Sequence, residues 1–262
     1  MLNLSELTDK VRALAIEAGD FIREERKKFH REAIEKKHAH DYVSYVDKES
    51  EKKIVTRLKE LLPEAGFIAE EGSGTLNDEQ YCWLVDPLDG TTNFIHDNAP
   101  YCVSIALRSK KELLLGVVYE ICRNECFWTY KGAPSYLNGN EIHVSAISNL
   151  DDSFIALGFP YATEEYKPMA NHLVNTLYGN VAGLRLMGAA AVELCYIAAG
   201  RFEARIEAFI GPWDIAAGTI ILQNAGGMIT DFKGGDSYSS GSQVLASNGR
   251  IHRDLLNIID NP

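Results

Sequence analysis

The chain has 262 residues and a formal net charge of −11 at pH 7, with a pI near 5.1. That length suffices for one sizeable core and no Pro/Ser/Gly-rich linker divides it, so a single unit is expected over 1–262, with an N-terminal α+β half over 1–150 and a C-terminal α/β half over 151–262. The acidic balance argues against a nucleic-acid surface; with no apolar run near the roughly 18 residues of a membrane span and no leader-like start in Met1 to Phe29, a soluble, unexported, cytoplasmic protein with no membrane partner is expected.

In chain order, Leu4, Leu7, Val11, Leu14, Ala18, Phe21 and Ile22 recur at helical spacing behind Ser5, a candidate cap, and predict an amphipathic helix. Glu35 to His40 lacks an apolar period and reads as a loop; Lys36 and Lys37 are either solvated or turned toward a ligand, and His38 and His40 are spaced poorly for a shared metal. A second helix runs from Val46 to Leu62 and stops at Pro63. Phe67-Ile-Ala reads as a short strand ending in Glu70 and Glu71, and Tyr81 to Val85 as another, broken by Pro87 and Gly90. Cys102 to Leu107, Leu113 to Tyr119 and Glu125 to Tyr130 form a meander. Further on, strands at Ser153–Gly158, Gly183–Met187, Phe202–Ile206, Met228–Asp231 and Gln243–Ser247 alternate with helices at Ala189–Ala199, Asp214–Asn224 and Arg250–Ile259, which implies a layered α/β architecture. The five cysteines, an odd count in mostly apolar surroundings, read as reduced core residues, and Cys122 and Cys126 lack the partners of a zinc site.

The chemistry concentrates in Trp83 to Phe94, where Asp86 and Asp89 sit at the carboxyl end of a strand, the end at which open α/β sheets bind ligands. Hard divalent cations such as Mg2+ take oxygen ligands, and one or two carboxylates plus substrate phosphate complete their shell. Gly90-Thr91-Thr92 then opens a short helix whose free N–H groups suit an anion. A plain solvated turn with two acidic caps is the competing reading of this segment alone. Glu70 is placed to reach the same cleft, whereas Asp214 by itself reads as an acid at a helix N-terminus.

AEEGS at Ala69 to Ser73, WLVDPLDGTTNF at Trp83 to Phe94 and WDIAAGTIILQNAGG at Trp213 to Gly227 resemble, in order and separation, the inositol monophosphatase family of metal-dependent, lithium-sensitive phosphatases. Asp41-Tyr-Val-Ser44-Tyr-Val-Asp47 resembles a further segment of that family, and weaker similarity covers nearly the whole chain. The resemblance implies an α/β (α+β) fold, a layered α-β-α-β-α sandwich of the inositol monophosphatase and fructose-1,6-bisphosphatase type. It also implies hydrolysis of a small phosphate monoester, inositol monophosphate foremost, by water activated with two or three Mg2+ ions. Carried onto this sequence, Glu70, Asp86 and the Leu88 carbonyl hold one Mg2+, while Asp86, Asp89 and Asp214 hold the second. Glu70 and Thr91, backed by Asp47, orient and deprotonate the water, although Asp47 and Thr91 also suit plain helix capping. Gly90 and Thr91 bind the phosphate, Glu207 accepts hydrogen bonds from ring hydroxyls, and Asp89, Asp214 and the backbone N–H of Ala190 complete the substrate site. A homodimer and inhibition by lithium follow from the same resemblance.

The sequence departs from the family pattern at four places: Ala69 where glycine is common, Ala189 where a hydroxyl is common, a longer turn at Gly132 to Gly139, and the aromatic Gly158-Phe-Pro-Tyr161 near the expected pocket rim. These leave the chemistry intact and the alcohol open: fructose bisphosphate, histidinol phosphate or an adenosine 3′-phosphate are the alternatives, and a catalytically silent regulator that binds nucleic-acid machinery is a rival of another class. The intact set Asp47, Glu70, Asp86, Asp89 and Asp214 weighs against silence.

Overall fold

A computed structural model of the chain describes residues 2–30, 34–38, 41–74, 80–110, 112–159, 163–240 and 242–260. His40 and Tyr161 lie outside these residues, as do the side chains of Lys36, Lys37 and His38.

Helix α1 (Leu4–Arg26) turns Leu7, Val11, Leu14, Ala18 and Ile22 into the core. Its cap is Asn3, whose side chain accepts from Glu6 N at 3.3 Å, so the helix begins earlier than the Ser5 cap expected from sequence. The stretch read as a loop is instead a hairpin: β1 (Ile34–His38) pairs antiparallel with β2 (Asp41–Ser44). Ladder bonds come from the backbone, so an isolated polar hairpin needs no apolar alternation to announce it. Helix α2 (Tyr45–Leu61) follows Ser44, whose side chain caps it, and Asp47 closes the reciprocal half of a capping box.

Seven strands then build the larger sheet in the order β3 (Ala65–Ala69), β4 (Tyr81–Asp89), β5 (Cys102–Ser109), β6 (Glu112–Glu120), β7 (Glu125–Tyr130), β8 (Ser135–Leu137), β9 (Asn140–Ile142), with the short helix α3 (Thr91–Ile95) following β4. Only β3 and β4 pair in parallel within it. The hairpin β8–β9 sits in the segment read as a long turn: Asn138 and Gly139, at φ 49° and 85°, form the two-residue connection that suits the right-handed twist of its strands.

The smaller sheet has the order β11 (Gly183–Arg185), β10 (Phe154–Leu157), β12 (Ala204–Ala208), β14 (Gln243–Ser247), β13 (Met228–Thr230). Around it lie α4 (Thr163–Leu177), α5 (Ala190–Ala198), α6 (Pro212–Asn224) and α7 (His252–Asp260). Sequence reading had no counterpart of α4. Pro168 inside the helix removes a backbone donor and disguises the stripe of Tyr166, Leu173 and Leu177, all buried.

Three apolar clusters show the layering. One joins α1 and α2 to a face of the larger sheet, through residues such as Val11, Ile54, Trp83 and Ile105. The second packs α5 and α6 between the two sheets, and the third packs α4 and α7 on the far face of the smaller sheet. The architecture is therefore α-β-α-β-α. The middle layer positions the candidate site, because the N-terminal ends of α5 and α6 line one cavity with the carboxyl ends of β3 and β4.

Candidate active site

Strands β3 and β4 run parallel with Ala69 opposite Val85, so the acids that follow each strand emerge at one end of the sheet. Glu70 N donates to Val85 O at 3.2 Å, which ties the first acid to β4. The turn after it is clamped by the buried Glu51 of α2, whose carboxylate oxygens accept from Glu71 N at 2.7 Å and Ser73 N at 2.9 Å. The pairing of β4 with β5 shifts register between Asp86 and Asp89, where Pro87 interrupts the ladder. Asp86 Oδ1 accepts from Leu88 N at 3.0 Å within that irregularity.

Glu70, Asp86, Leu88, Asp89, Gly90, Thr91, Ala190, Glu207 and Asp214 all line one cavity of about 430 Å³. Asp47 stands behind it, buried, and is reached through Thr91: Thr91 Oγ1 lies 2.9 Å from Asp47 Oδ1 and 3.1 Å from the Leu88 carbonyl. Ser44 N and Oγ donate to Asp47 Oδ2 at 2.9 and 2.7 Å. The same carboxylate thus caps α2 and contacts the cavity's threonine. Burial raises the Asp47 pKa, and the hydrogen bonds from Ser44 and Thr91 oppose that rise.

Asp89 crosses to the middle layer. Its Oδ1 and Oδ2 accept from Ala190 N at 3.1 Å and Ala191 N at 2.8 Å, so it caps α5, where Ala189 at the N-cap has no hydroxyl to offer. The Ala190 amide that sequence reading turned toward substrate is therefore already engaged, and Ala190 contributes to the cavity as a wall. On α6, Asp214 Oδ2 accepts from Gly211 N at 2.8 Å. Burial is the main force on these acids and like charge the next: Asp86 is held well above the carboxylate range by burial, then by Glu70, Asp89 and Asp214, and Asp214 by burial, then by Glu70 and Asp89. Burial pushes Asp89 up to about 6 against its amide donors and the Arg205 guanidinium. Among the described residues no three His, Cys, Asp or Glu side chains close into a ready-made metal cage. The carboxylates line a common cavity, while Asp86, Asp89 and Asp214 each lean on their own backbone donors.

The opposite wall contains residues that sequence reading did not single out. Arg205, on β12 two residues before Glu207 and so on the same strand face, is 2% exposed and forms short charged hydrogen bonds to Glu193 Oε2 through Nε and to Glu207 Oε2 through Nη2. The other oxygen of Glu193 accepts from Met187 N at 3.0 Å and Gly188 N at 3.3 Å. Asn93 Nδ2 donates to the carbonyls of Met187 and Pro100, each at 2.7 Å, and fastens the same turn to the helix after β4. The signal was present: Glu193 is a lone carboxylate inside the apolar run Ala189 to Ala199, a position that demands a buried cation. At the rim Phe159, Leu186 and Phe209 are 44%, 61% and 48% exposed. Phe209 adopts φ 58°, a strained conformation for an aromatic residue beside a site. The cysteines are free, as expected, but Cys122 is exposed, outside the core.

The sequence profile of the inositol monophosphatase family matches residues 3–261. The chain belongs to that family. Nus factor SuhB of Pasteurella multocida is 39% identical over 225 residues, covering 85% of this chain and 84% of that protein. Among solved structures, the extragenic suppressor protein suhB of Bartonella henselae superposes with a TM-score of 0.91 at 32% identity, covering 97% of this chain and 98% of that one. The inositol monophosphatase of Anabaena does so with a TM-score of 0.88 at 31% identity, covering 99% and 97%. The layered fold of this family member is the one its sequence implied. No helix among the described residues is long and apolar enough to cross a membrane.

Proposed function

We propose that this chain is a Mg2+-dependent phosphomonoesterase acting on inositol monophosphate or another polyol phosphate. The observation that carries the reading is the meeting, in one cavity, of four carboxylates at the ends of β3, β4 and α6 with Thr91 and, across from them, Glu207. The donor set fits a hard divalent cation: it is all oxygen, and the like-charge crowding that raises Asp86 and Asp214 is a cost that a cation removes. Glu70, Asp86, the Leu88 carbonyl, Asp89 and Asp214 would hold Mg2+, which when bound supplies Lewis-acid stabilisation of the phosphoryl group and a lowered pKa for water.

The chain's own residues supply the rest. Thr91 Oγ1, donating its proton toward Asp47 Oδ1, keeps a lone pair with which to receive a proton from water, and Asp47, made more basic by burial, takes the relayed proton. Glu70 holds that water in line with the ester. The amides of Gly90 and Thr91 bind the phosphate; Gly90 sits at φ 88° where a Cβ would lie 3.0 Å from the Pro100 carbonyl, so glycine is required for the turn that aims them. Glu207 accepts from hydroxyls of the alcohol. Inhibition by Li+ and a homodimer belong to the same reading.

Purified protein assayed with inositol 1-phosphate, fructose 1,6-bisphosphate, histidinol phosphate and adenosine 3′-phosphate, each with and without Mg2+, is expected to release phosphate fastest from the inositol ester and only with Mg2+. Faster turnover of another ester would overturn the polyol assignment. The name Nus factor, borne by a relative 39% identical, favours a second reading in which the fold serves an interaction with nucleic-acid machinery. Folded protein inert toward the whole panel would point there.

A further inference from the structure

We infer that Arg205 is a specificity-determining positioning residue, which sets the polyol-recognising carboxylate Glu207 and the 187–188 turn as a single rigid wall. The inference rests on the phosphomonoesterase reading above and extends it to a residue outside the proposed metal and phosphate ligands.

A cluster of two fully buried ions, Arg205 and Glu193, with Glu207 at 16% exposure beside them, is costly, because the ions lose hydration and the geometry must be good enough to compensate. Apolar residues would fill the same space as stably, so the charge here serves placement. Strand periodicity puts Arg205 and Glu207 on one face of β12, and the guanidinium grips Glu207 through Oε2. Oε1 is left as the acceptor for a hydroxyl of the alcohol. The guanidinium reaches sideways to Glu193 on α5, and that residue's second oxygen holds the Met187 and Gly188 amides. Arg205 Nη1 makes no hydrogen bond within the protein, so the two carboxylates alone fix the group.

A second contact limits Glu207 from the other side. A Cβ on Gly158 would stand 2.2 Å from Glu207 Cδ and 2.4 Å from its Oε1, so the backbone of Gly158 lies flat against the carboxylate. Gly158 N is itself tied to Ile206 O at 2.9 Å on the same strand, which leaves this contact little room to relax. Arg205 and Gly158 together restrict Glu207 to one orientation, and a planar fork is suited to that task where a lysine's single ammonium is not.

The test compares two esters, inositol 1-phosphate and p-nitrophenyl phosphate, the second lacking ring hydroxyls, in wild type, Arg205→Gln and Gly158→Ala with saturating Mg2+. The ratio of kcat/KM for the inositol ester to that for the aryl ester is expected to fall at least tenfold in both variants, with the loss carried by KM for the inositol ester. Gly158→Ala keeps every charge and carries the test alone if Arg205→Gln does not fold. An unchanged ratio, or an equal fall of kcat on both esters, would overturn the positioning role while leaving the phosphatase reading standing. Wild-type protein inert toward both esters would overturn that reading, and this inference with it.

Discussion

Two buried acidic clusters face each other across the cavity, and they resolve their charge in opposite ways. On the β4 and α6 side, burial raises Asp86 and Asp214, and the charges of Glu70 and Asp89 raise both further. On the β12 side, Glu193 and Glu207 share the Arg205 guanidinium. The first cluster is costly until a cation arrives and suits a ligand site, while the second carries its own counterion and suits a fixed wall. Under the proposed function, charge crowding therefore marks the reactive half, and charge pairing the half that recognises.

The contrast breaks most sharply on substitution. Asp86→Asn keeps an acceptor for Leu88 N but removes a charge, so phosphate release with Mg2+ should fall at least about a thousandfold, roughly 4 kcal/mol of transition-state stabilisation. In EDTA the same variant should be more stable than wild type, by on the order of 1 kcal/mol, as read from urea midpoints. A destabilised Asp86→Asn would show that crowding does not govern that side. Arg205→Met should do the reverse, costing about 3–5 kcal/mol of stability with or without Mg2+, since it leaves two carboxylates without their cation. A loss that Mg2+ repairs would mean that the two clusters are not separate.

The smallest expected effect is a pair of opposed pH slopes in metal-free protein. Asp89, raised to about 6 from 3.8, binds its proton more tightly when folded, so stability rises as pH falls through 6 toward 3.8. His252, lowered to about 4 from 6.5 by desolvation, does the opposite: the unfolded chain takes up the proton first, and stability is lost as pH falls from 6.5 to 4. Its ring nitrogens lie 2.9 Å from Thr230 Oγ1 and from Ser247 Oγ, and it does not line the acidic cavity. Melting temperatures of His252→Gln between pH 4 and 6.5 should show the acid slope unmasked, with a gain on acidification of on the order of 1 kcal/mol relative to wild type. A steeper loss on acidification in the variant would contradict the assignment.

By itself the sequence carried every strongly patterned element: the apolar stripe of α1, the meander β5 to β7, and the acids that end β3 and β4, because period and breaker residues act locally. Motif resemblance also named the acids that line the cavity, Glu193 excepted. It did not expose α4 behind Pro168, nor the β1–β2 hairpin, whose pairing lives in the backbone. Only the tertiary structure engaged the Ala190 amide with Asp89 and joined Glu193 to Arg205 and Glu207. Each of those contacts links residues on different elements, or sets a side chain's partner, and such pairings are decided by how layers pack and which buried charge must find a counterion.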